Sequence, residues 1–228
     1  MNAVRPGFFE PDDSRVKAKI CGITTAEQAI AIHELGADAL GFNFWLKSKR
    51  YLERNAKVDS WLQDLAGKIT RIGVFVNPTR PEIESAIGEG VIDFAQLHGD
   101  ESPEFFTELA TAGLPVFKAT GVKNGEMLDE AAAWFTGAAE NAILLDAYAP
   151  VEYGGTGETM DWNLGREAVI RWPEQKVILA GGLNPGNIAD AIAQVRPFAV
   201  DVASGVESGT PGVKDQEKVR NFLAAVRS

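Results

Sequence analysis

Short apolar runs alternate with longer amphipathic segments along the whole chain. The short runs are almost continuously apolar, which is typical of parallel strands buried on both faces. The pattern predicts eight strands, at residues 16–20, 37–44, 69–76, 91–97, 115–119, 142–146, 176–180 and 198–202. It also predicts eight helices, at residues 25–35, 56–66, 80–89, 102–112, 125–135, 161–170, 184–194 and 213–226.

Several helix boundaries carry their own signals. Ser102 followed by Pro103 is typical of a helix start, because proline is favoured at the first helical position. Glycines stand just past three predicted helices, where a left-handed backbone is needed: Gly36, Gly90 and Gly113. These signals support the predicted order of elements.

Eight strand–helix pairs in 228 residues predict an α/β fold, a single (β/α)8 TIM barrel. An open doubly wound sheet is the alternative, but it usually has fewer strands and a G-x-G-x-x-G string after the first strand. No such string follows the first predicted strand. We assign residues 16–228 to the barrel and residues 1–15 to a flexible or loosely packed N-terminal arm. Phe8 and Phe9 are expected to anchor this arm to an apolar surface patch.

The net charge of −10 argues against nucleic acids and anionic membranes as partners, because binding them requires a basic surface. A small anionic substrate stays compatible with this charge, since backbone N–H groups at a helix N-terminus can bind phosphate. The single cysteine excludes an internal disulfide and fits a reducing compartment. No apolar run has the length of a signal peptide or a membrane span, so we expect a cytoplasmic protein.

In a TIM barrel the chemistry lies at the carboxyl ends of the strands. Cys21 stands where the first strand ends, and its thiolate could take a proton from carbon. Asp146 ends the sixth, apolar strand, where desolvation would raise its pKa and allow it to act as an acid. The alternatives are an ordinary buried cysteine and an aspartate that caps a helix or pairs in a loop.

The turns after strands seven and eight contain Gly181, Gly182, Ser204 and Gly205. Loops at these two positions are the usual phosphate site of such barrels, and glycines let the backbone approach an anion. Simple tight turns are the alternative for either turn alone. Their occurrence at both strands favours a phosphate site.

Three further rim residues could contact a substrate. Arg50, in the loop after the second strand, has a fork that suits a planar carboxylate, although a solvated basic loop is the alternative. Gln96 and His98 stand at the end of the fourth strand, and a lone histidine is often structural. No group of residues has the spacing of metal ligands, so no metal is expected.

Several strings together resemble phosphoribosylanthranilate isomerase of tryptophan biosynthesis. They are KICGIT at 19–24, QLHGDE at 96–101, LLD at 144–146, GGTG at 154–157, AGGLN at 180–184 and DVASGVE at 201–207. The resemblance runs from about Val16 to the C-terminus, and its strength lies in the combination and order of the strings.

The resemblance implies an Amadori rearrangement of N-(5′-phosphoribosyl)anthranilate without a cofactor. It implies Cys21 as general base, Asp146 as general acid and Arg50 as the group that binds the anthranilate carboxylate. The phosphate would lie on Gly181, Gly182, Ser204 and Gly205, and Gln96 and His98 would complete the substrate site. A monomer or a homodimer is expected, with a phosphorylated small molecule as the partner.

Two other functions fit a barrel of this kind. Another phosphosugar isomerase would use paired aspartates near strands one and five, where this chain has Cys21 and Thr120. A non-catalytic barrel that binds a phosphorylated ligand would not require both an acid and a base at its rim. Both alternatives are therefore weaker than the isomerase.

Overall fold

Eight parallel strands close into a barrel in the computed structural model, which describes residues 7–10, 15–135, 142–148 and 159–228. Each strand pairs with its neighbour in chain order, and the eighth pairs with the first. The predicted TIM barrel is thereby confirmed. The strands are β1 Lys17–Cys21, β2 Ala39–Asn43, β3 Thr70–Phe75, β4 Phe94–Leu97, β5 Val116–Val122, β6 Ala142–Ala147, β7 Lys176–Leu179 and β8 Ala199–Val202.

A helix follows each strand and covers the outside of the barrel. The helices are α1 Ala26–Leu35, α2 Ala56–Gln63, α3 Arg80–Gly88, α4 Pro103–Thr111, α5 Gly125–Ala131, α6 Trp162–Arg171, α7 Ile188–Val195 and α8 Gln216–Val226. Short 3-10 turns follow at Ala132–Trp134 and Ser204–Val206. Within the described ranges, no helix combines the length and the apolar character needed to cross a membrane.

The helix boundaries follow the capping signals. The Ser102 hydroxyl accepts the backbone N–H of Phe105 at the start of α4, and Gly36 ends α1 with a φ of 96°. Helix α7 begins four residues later than predicted, at Ile188. The reason is that Asn184 and Asn187 bond the turn that precedes it, where both side-chain amides donate to the carbonyl of Gly182.

Alternation along the strands separates two cores. Residues that pack against the helices form the larger core, for example Ile20, Leu40 and Val200. The intervening residues point into the barrel and form a smaller core that includes Ile72, Phe117, Leu144 and Ile178. Because side chains alternate, Lys19, Cys21, Gln96, Asp146 and Asp201 also point inward, toward the carboxyl ends of their strands.

The segment around Phe8 and Phe9 closes the opposite, N-terminal end of the barrel. Both rings are buried within the inner core, rather than on a surface patch. Phe9 packs edge-on against Phe94 and Phe117, with ring centroids 4.6 and 5.3 Å apart. The buried Lys17 ammonium donates to the carbonyl oxygens of Gly7 (2.8 Å) and Glu10. Other parts of the predicted arm, residues 1–6 and 11–14, lie outside the described residues.

The packing of Phe9 leads to a test of this closure. We expect Phe9→Ala to lower the free energy of unfolding by about 3–5 kcal/mol, because a buried ring is lost and a cavity remains. Urea denaturation would measure the change. Ile170→Ala, at a side chain 66% exposed on α6, is the control and should change it by less than about 0.5 kcal/mol. A loss below about 1 kcal/mol for Phe9→Ala would contradict the closure.

Candidate active site

The inward-pointing polar residues meet at the C-terminal end of the barrel, which we call the mouth. Cys21 is the last residue of β1, and Asp146 is the fifth of the six residues of β6. Gln96 lies in β4, and His98 directly follows that strand. The structure therefore brings the predicted acid, the predicted base and two predicted substrate contacts to one end of the molecule.

Cys21 shares a narrow space with Lys19. A side-chain carbon added at Gly41, the neighbour of Cys21 in β2, would lie 2.6 Å from Cys21 Sγ and 3.0 Å from Lys19 Nζ. Glycine at this position therefore leaves room for the thiol and the ammonium. Burial raises the pKa of the Cys21 thiol, and the positive charge of Lys19 is the largest influence that opposes this rise.

Lys19 and Asp201 form an ion pair inside the mouth. The Lys19 ammonium, which is fully buried, bonds both carboxylate oxygens of Asp201 at 3.0 Å. The two residues face each other directly across β1 and β8. Although burial alone lowers a lysine pKa, the carboxylate of Asp201 and the nearby Cys21 raise that of Lys19, so the ammonium stays charged.

Asp146 has the environment of an acid that can hold its proton near neutral pH. Its side chain is buried, and desolvation raises its pKa to about 6. The hydrogen bond from the Ala147 N–H to its Oδ1 (2.8 Å) opposes this rise, while the negative charge of Asp201 adds to it. Asp146 and Cys21 are three strands apart around the barrel, so they approach the mouth from different walls.

His98 lies between Gln96 and Asp146. Its Nε2 is 3.6 Å from Asp146 Oδ2, and its Nδ1 is 3.2 Å from Gln96 Nε2. Burial, together with the charges of Lys118 and Lys19, lowers the His98 pKa to about 3, so the ring is neutral at physiological pH. Gln96 Oε1 is buried without a hydrogen-bond partner among the described residues, which leaves an acceptor for a substrate hydroxyl.

Arg50 is held by a carboxylate rather than lying in solvent. Its Nε and Nη2 donate to the two oxygens of Glu207 at 2.7 and 2.8 Å. The Lys214 ammonium bonds the same carboxylate at 3.0 Å, and these two cations keep the Glu207 pKa low despite partial burial. Arg50 also packs so closely over Gly22 that a side chain there would collide with it. The guanidinium therefore has a fixed orientation.

The turns after β7 and β8 press against each other. Gly181 and Gly182 have φ of 81° and 64°, which glycine adopts without strain. A side chain at Gly205 would collide with the carbonyl of Leu183, so only glycine allows this approach. Ser204 begins the 3-10 turn beside it.

These turns present backbone donors. Within the described chain, no acceptor takes the backbone N–H groups of Gly182, Ser204 or Gly205. Free N–H groups in two adjacent glycine turns form a suitable cradle for phosphate. The predicted loop at residues 154–157 lies outside the described residues.

Comparisons with known proteins identify the family of this chain. Residues 18–225 match the family of N-(5′phosphoribosyl)anthranilate (PRA) isomerase. The chain belongs to this family. A protein from Trichlorobacter lovleyi named N-(5′-phosphoribosyl)anthranilate isomerase is 43% identical over 211 residues, which are 91% of this chain and 96% of that protein.

Solved structures of PRA isomerases have the same fold. The enzyme from Thermotoga maritima superposes with a TM-score of 0.82 and 37% identity, over 93% of this chain and 98% of that one. Another structure, a PRA isomerase in complex with reduced 1-(o-carboxyphenylamino)-1-deoxyribulose 5-phosphate, has a TM-score of 0.77 and 35% identity. It covers 93% of this chain and 98% of its own.

Sequence reasoning assigned no role to four charged residues that organise the mouth: Lys19, Asp201, Glu207 and Lys214. A signal for two of them was present, because Lys19 and Asp201 interrupt apolar strands. A charged residue in a buried strand requires a partner of opposite charge, so its position in the sequence indicates a buried ion pair. The partner itself could not be named before the strands were placed around the barrel.

The burial of Asp146 leads to a stability prediction. Above a pH of about 6, folding places an ionised carboxylate in an apolar site. We expect Asp146→Asn to be more stable than the unmodified protein at pH 7, by on the order of 2–3 kcal/mol. The advantage should shrink as pH falls through 6 and vanish below about 4, where the carboxyl group is neutral in both the folded and the unfolded chain.

Urea denaturation of both proteins at several pH values would measure this difference. Groups that titrate equally in both proteins cancel from the comparison. If the Asp146→Asn variant were less stable than the unmodified protein at pH 7, Asp146 would be stabilised in its ionised form instead.

Proposed function

We propose that this protein catalyses the Amadori rearrangement of N-(5′-phosphoribosyl)anthranilate to 1-(2-carboxyphenylamino)-1-deoxyribulose 5-phosphate. The observation that carries the proposal is the pairing of a proton-holding carboxyl group, Asp146, with a thiol beside a buried ammonium, Cys21, at one barrel mouth. An acid and a base on different walls are what an aldose–ketose isomerisation requires. Membership of the PRA isomerase family supports the same reaction.

The first step opens the sugar ring. Asp146 donates its proton to the ribose ring oxygen as the bond from C1′ to that oxygen breaks. The anthranilate nitrogen supplies its electron pair to C1′, which forms a protonated Schiff base. A carboxyl group with a pKa of about 6 is well matched to this role, because it holds a proton near neutral pH and releases it readily.

The second step moves a proton from carbon. The Cys21 thiolate removes the proton from C2′, and the electron pair of that bond forms the C1′–C2′ double bond of an enolamine. The enolamine tautomerises to the C2′ ketone as C1′ gains a proton. As the C1′–C2′ double bond forms, the π electron pair of the Schiff base moves onto its positive nitrogen. The nitrogen thus accepts the electrons, so no metal or cofactor is part of this scheme.

The two ends of the substrate would be held by the groups described above. The phosphate accepts the N–H groups of the turns at Gly181, Gly182, Ser204 and Gly205. The anthranilate carboxylate lies at Arg50, whose Nη1 has no acceptor among the described residues while Nε and Nη2 bond Glu207. Gln96 and His98 lie between these ends and would contact the ribose. Binding at both ends positions C2′ between the acid and the base.

The proposal includes the cytoplasm as the location of the protein. A reducing cytoplasm suits a barrel whose proposed base is a free thiol, because oxidation of Cys21 would remove the thiolate that takes the C2′ proton.

The roles of Cys21 and Asp146 are tested by turnover. Substrate generated in situ loses its anthranilate-type fluorescence as it reacts. We expect Cys21→Ser and Asp146→Asn each to lower kcat by about 10²–10⁴-fold, because each removes one proton-transfer group. Far-UV circular dichroism would establish that both variants are folded.

Retention of more than a tenth of the unmodified rate by either variant would remove the role assigned to that residue. A folded, unmodified protein that binds the reduced product analogue without any turnover would instead support a non-catalytic binding barrel.

Arg50 is expected to act in binding rather than in proton transfer. Arg50→Lys should raise KM by about ten- to a hundredfold with a smaller effect on kcat, since a charged fork is replaced by a point charge. Lys47→Met is the matched control from the same loop, where Lys47 is exposed, and should leave KM unchanged. A fall in kcat at constant KM for Arg50→Lys would contradict the binding role.

A further inference from the structure

Lys19 contacts Cys21 in addition to its ion-pair partner, Asp201. Its ammonium is completely buried, bonds the two oxygens of Asp201 and also contacts the sulfur of Cys21. The three side chains come from two adjacent strands, with Lys19 opposite Asp201 and two residues before Cys21. Gly41 leaves the space in which the sulfur and the ammonium meet.

Burial of an ammonium group is unfavourable, and nearby charge must compensate it. Asp201 supplies one negative charge, which balances Lys19 while Cys21 carries its proton. When the proton leaves, the sulfur becomes a second negative charge that faces the same ammonium. The arrangement therefore provides a positive charge beside the sulfur that must be negative before it takes the C2′ proton.

We propose that Lys19 is a positioning residue that stabilises the thiolate form of Cys21, and that Asp201 balances the charge of the ammonium group while Cys21 is protonated. The inference rests on the proposed function for its purpose, since the thiolate is the form that removes the C2′ proton. Its physical content, an ammonium that favours the ionised sulfur, can be measured without any substrate.

Other charged groups face Cys21 and must be considered with Lys19. Lys214, from the segment after β8, favours the thiolate, and Arg50 interacts with it from the loop after β2. Glu207 forms direct ion pairs with both of these cations and offsets one of their two positive charges. Further along the mouth are the neutral ring of His98, which directly follows β4, and the carboxyl group of Asp146 on β6. Among the cations that favour the thiolate, Lys19 has the largest influence and also hydrogen-bonds the sulfur.

The proposal predicts opposite effects for the two partners of the ion pair. Lys19→Met removes the positive charge and should disfavour the thiolate. Asp201→Asn removes a negative charge near the sulfur and should favour the thiolate, because the negative charge of Asp201 opposes ionisation of Cys21. A purely structural ion pair predicts that both variants disturb Cys21 in the same direction.

Cys21 is the only cysteine of the chain, so alkylation reports on it alone. Iodoacetamide would be added to the full-length variants at pH values from about 6 to 10, and the rate of modification followed by mass spectrometry. In this reaction the thiolate sulfur displaces iodide and forms a new bond to carbon. Lys17→Met is the matched control, because Lys17 is also buried on β1 but lies at the other end of the barrel.

We expect Lys19→Met to slow alkylation at neutral pH by about tenfold or more, which corresponds to an upward displacement of the rate profile by about one pH unit. Asp201→Asn should accelerate alkylation, and Lys17→Met should leave the profile where it is. The double variant Lys19→Met, Asp201→Asn leaves no unpaired charge. If Lys19→Met does not fold, the double variant should still be alkylated more slowly than Asp201→Asn alone, since the two differ only in the charge of Lys19.

A profile for Lys19→Met that coincides with the unmodified protein, or a profile for the double variant that coincides with Asp201→Asn, would overturn the proposal. The same direction of change for Lys19→Met and Asp201→Asn would also overturn it. Turnover is measured separately. An unmodified protein without isomerase activity would refute the proposed function, whereas the alkylation profiles would still decide whether Lys19 favours the thiolate.

Discussion

The structure depends on how charged groups that are buried at the barrel mouth are compensated by groups of opposite charge. The pair between Lys19 and Asp201 is the central case, because it joins the first and last strands where the barrel closes. Its Coulomb attraction offsets the desolvation of both groups only while the strands keep their register. The same pair sets the electrostatic conditions for its neighbours: the positive charge acts on Cys21, and the negative charge acts on Asp146.

Glycines make this crowding possible. Gly41 leaves room for the thiol and the ammonium, and Gly205 lets the last two turns approach each other. Gly22 likewise leaves room for Arg50, which then reaches Glu207. In each case the absent side chain is replaced by a functional group from another part of the chain. A larger residue at any of these positions would separate groups whose interaction depends on short distances.

The two ends of the barrel divide stability from chemistry. At the N-terminal end, aromatic rings fill the interior, and the Lys17 ammonium donates to the backbone carbonyls of Gly7 and Glu10. At the mouth, burial raises the pKa of Asp146 to about 6, so burial that is unfavourable for the ionised group prepares the acid. Burial thus serves packing at one end and adjusts proton affinity at the other.

The sequence by itself determined the barrel, the order of its elements and the rim positions of Cys21 and Asp146. Apolar periodicity, helix caps and strand ends are local properties, and local properties are readable along a chain. Only the tertiary structure decided that Lys19 meets Asp201, 182 residues away, and that Arg50 meets Glu207, 157 residues away. Closure of the barrel and strand register bring these charges together, and neither leaves a local pattern. The tertiary structure alone also decided that Phe9 is buried within the inner core, because a short aromatic segment has no periodicity that reveals which surface it covers.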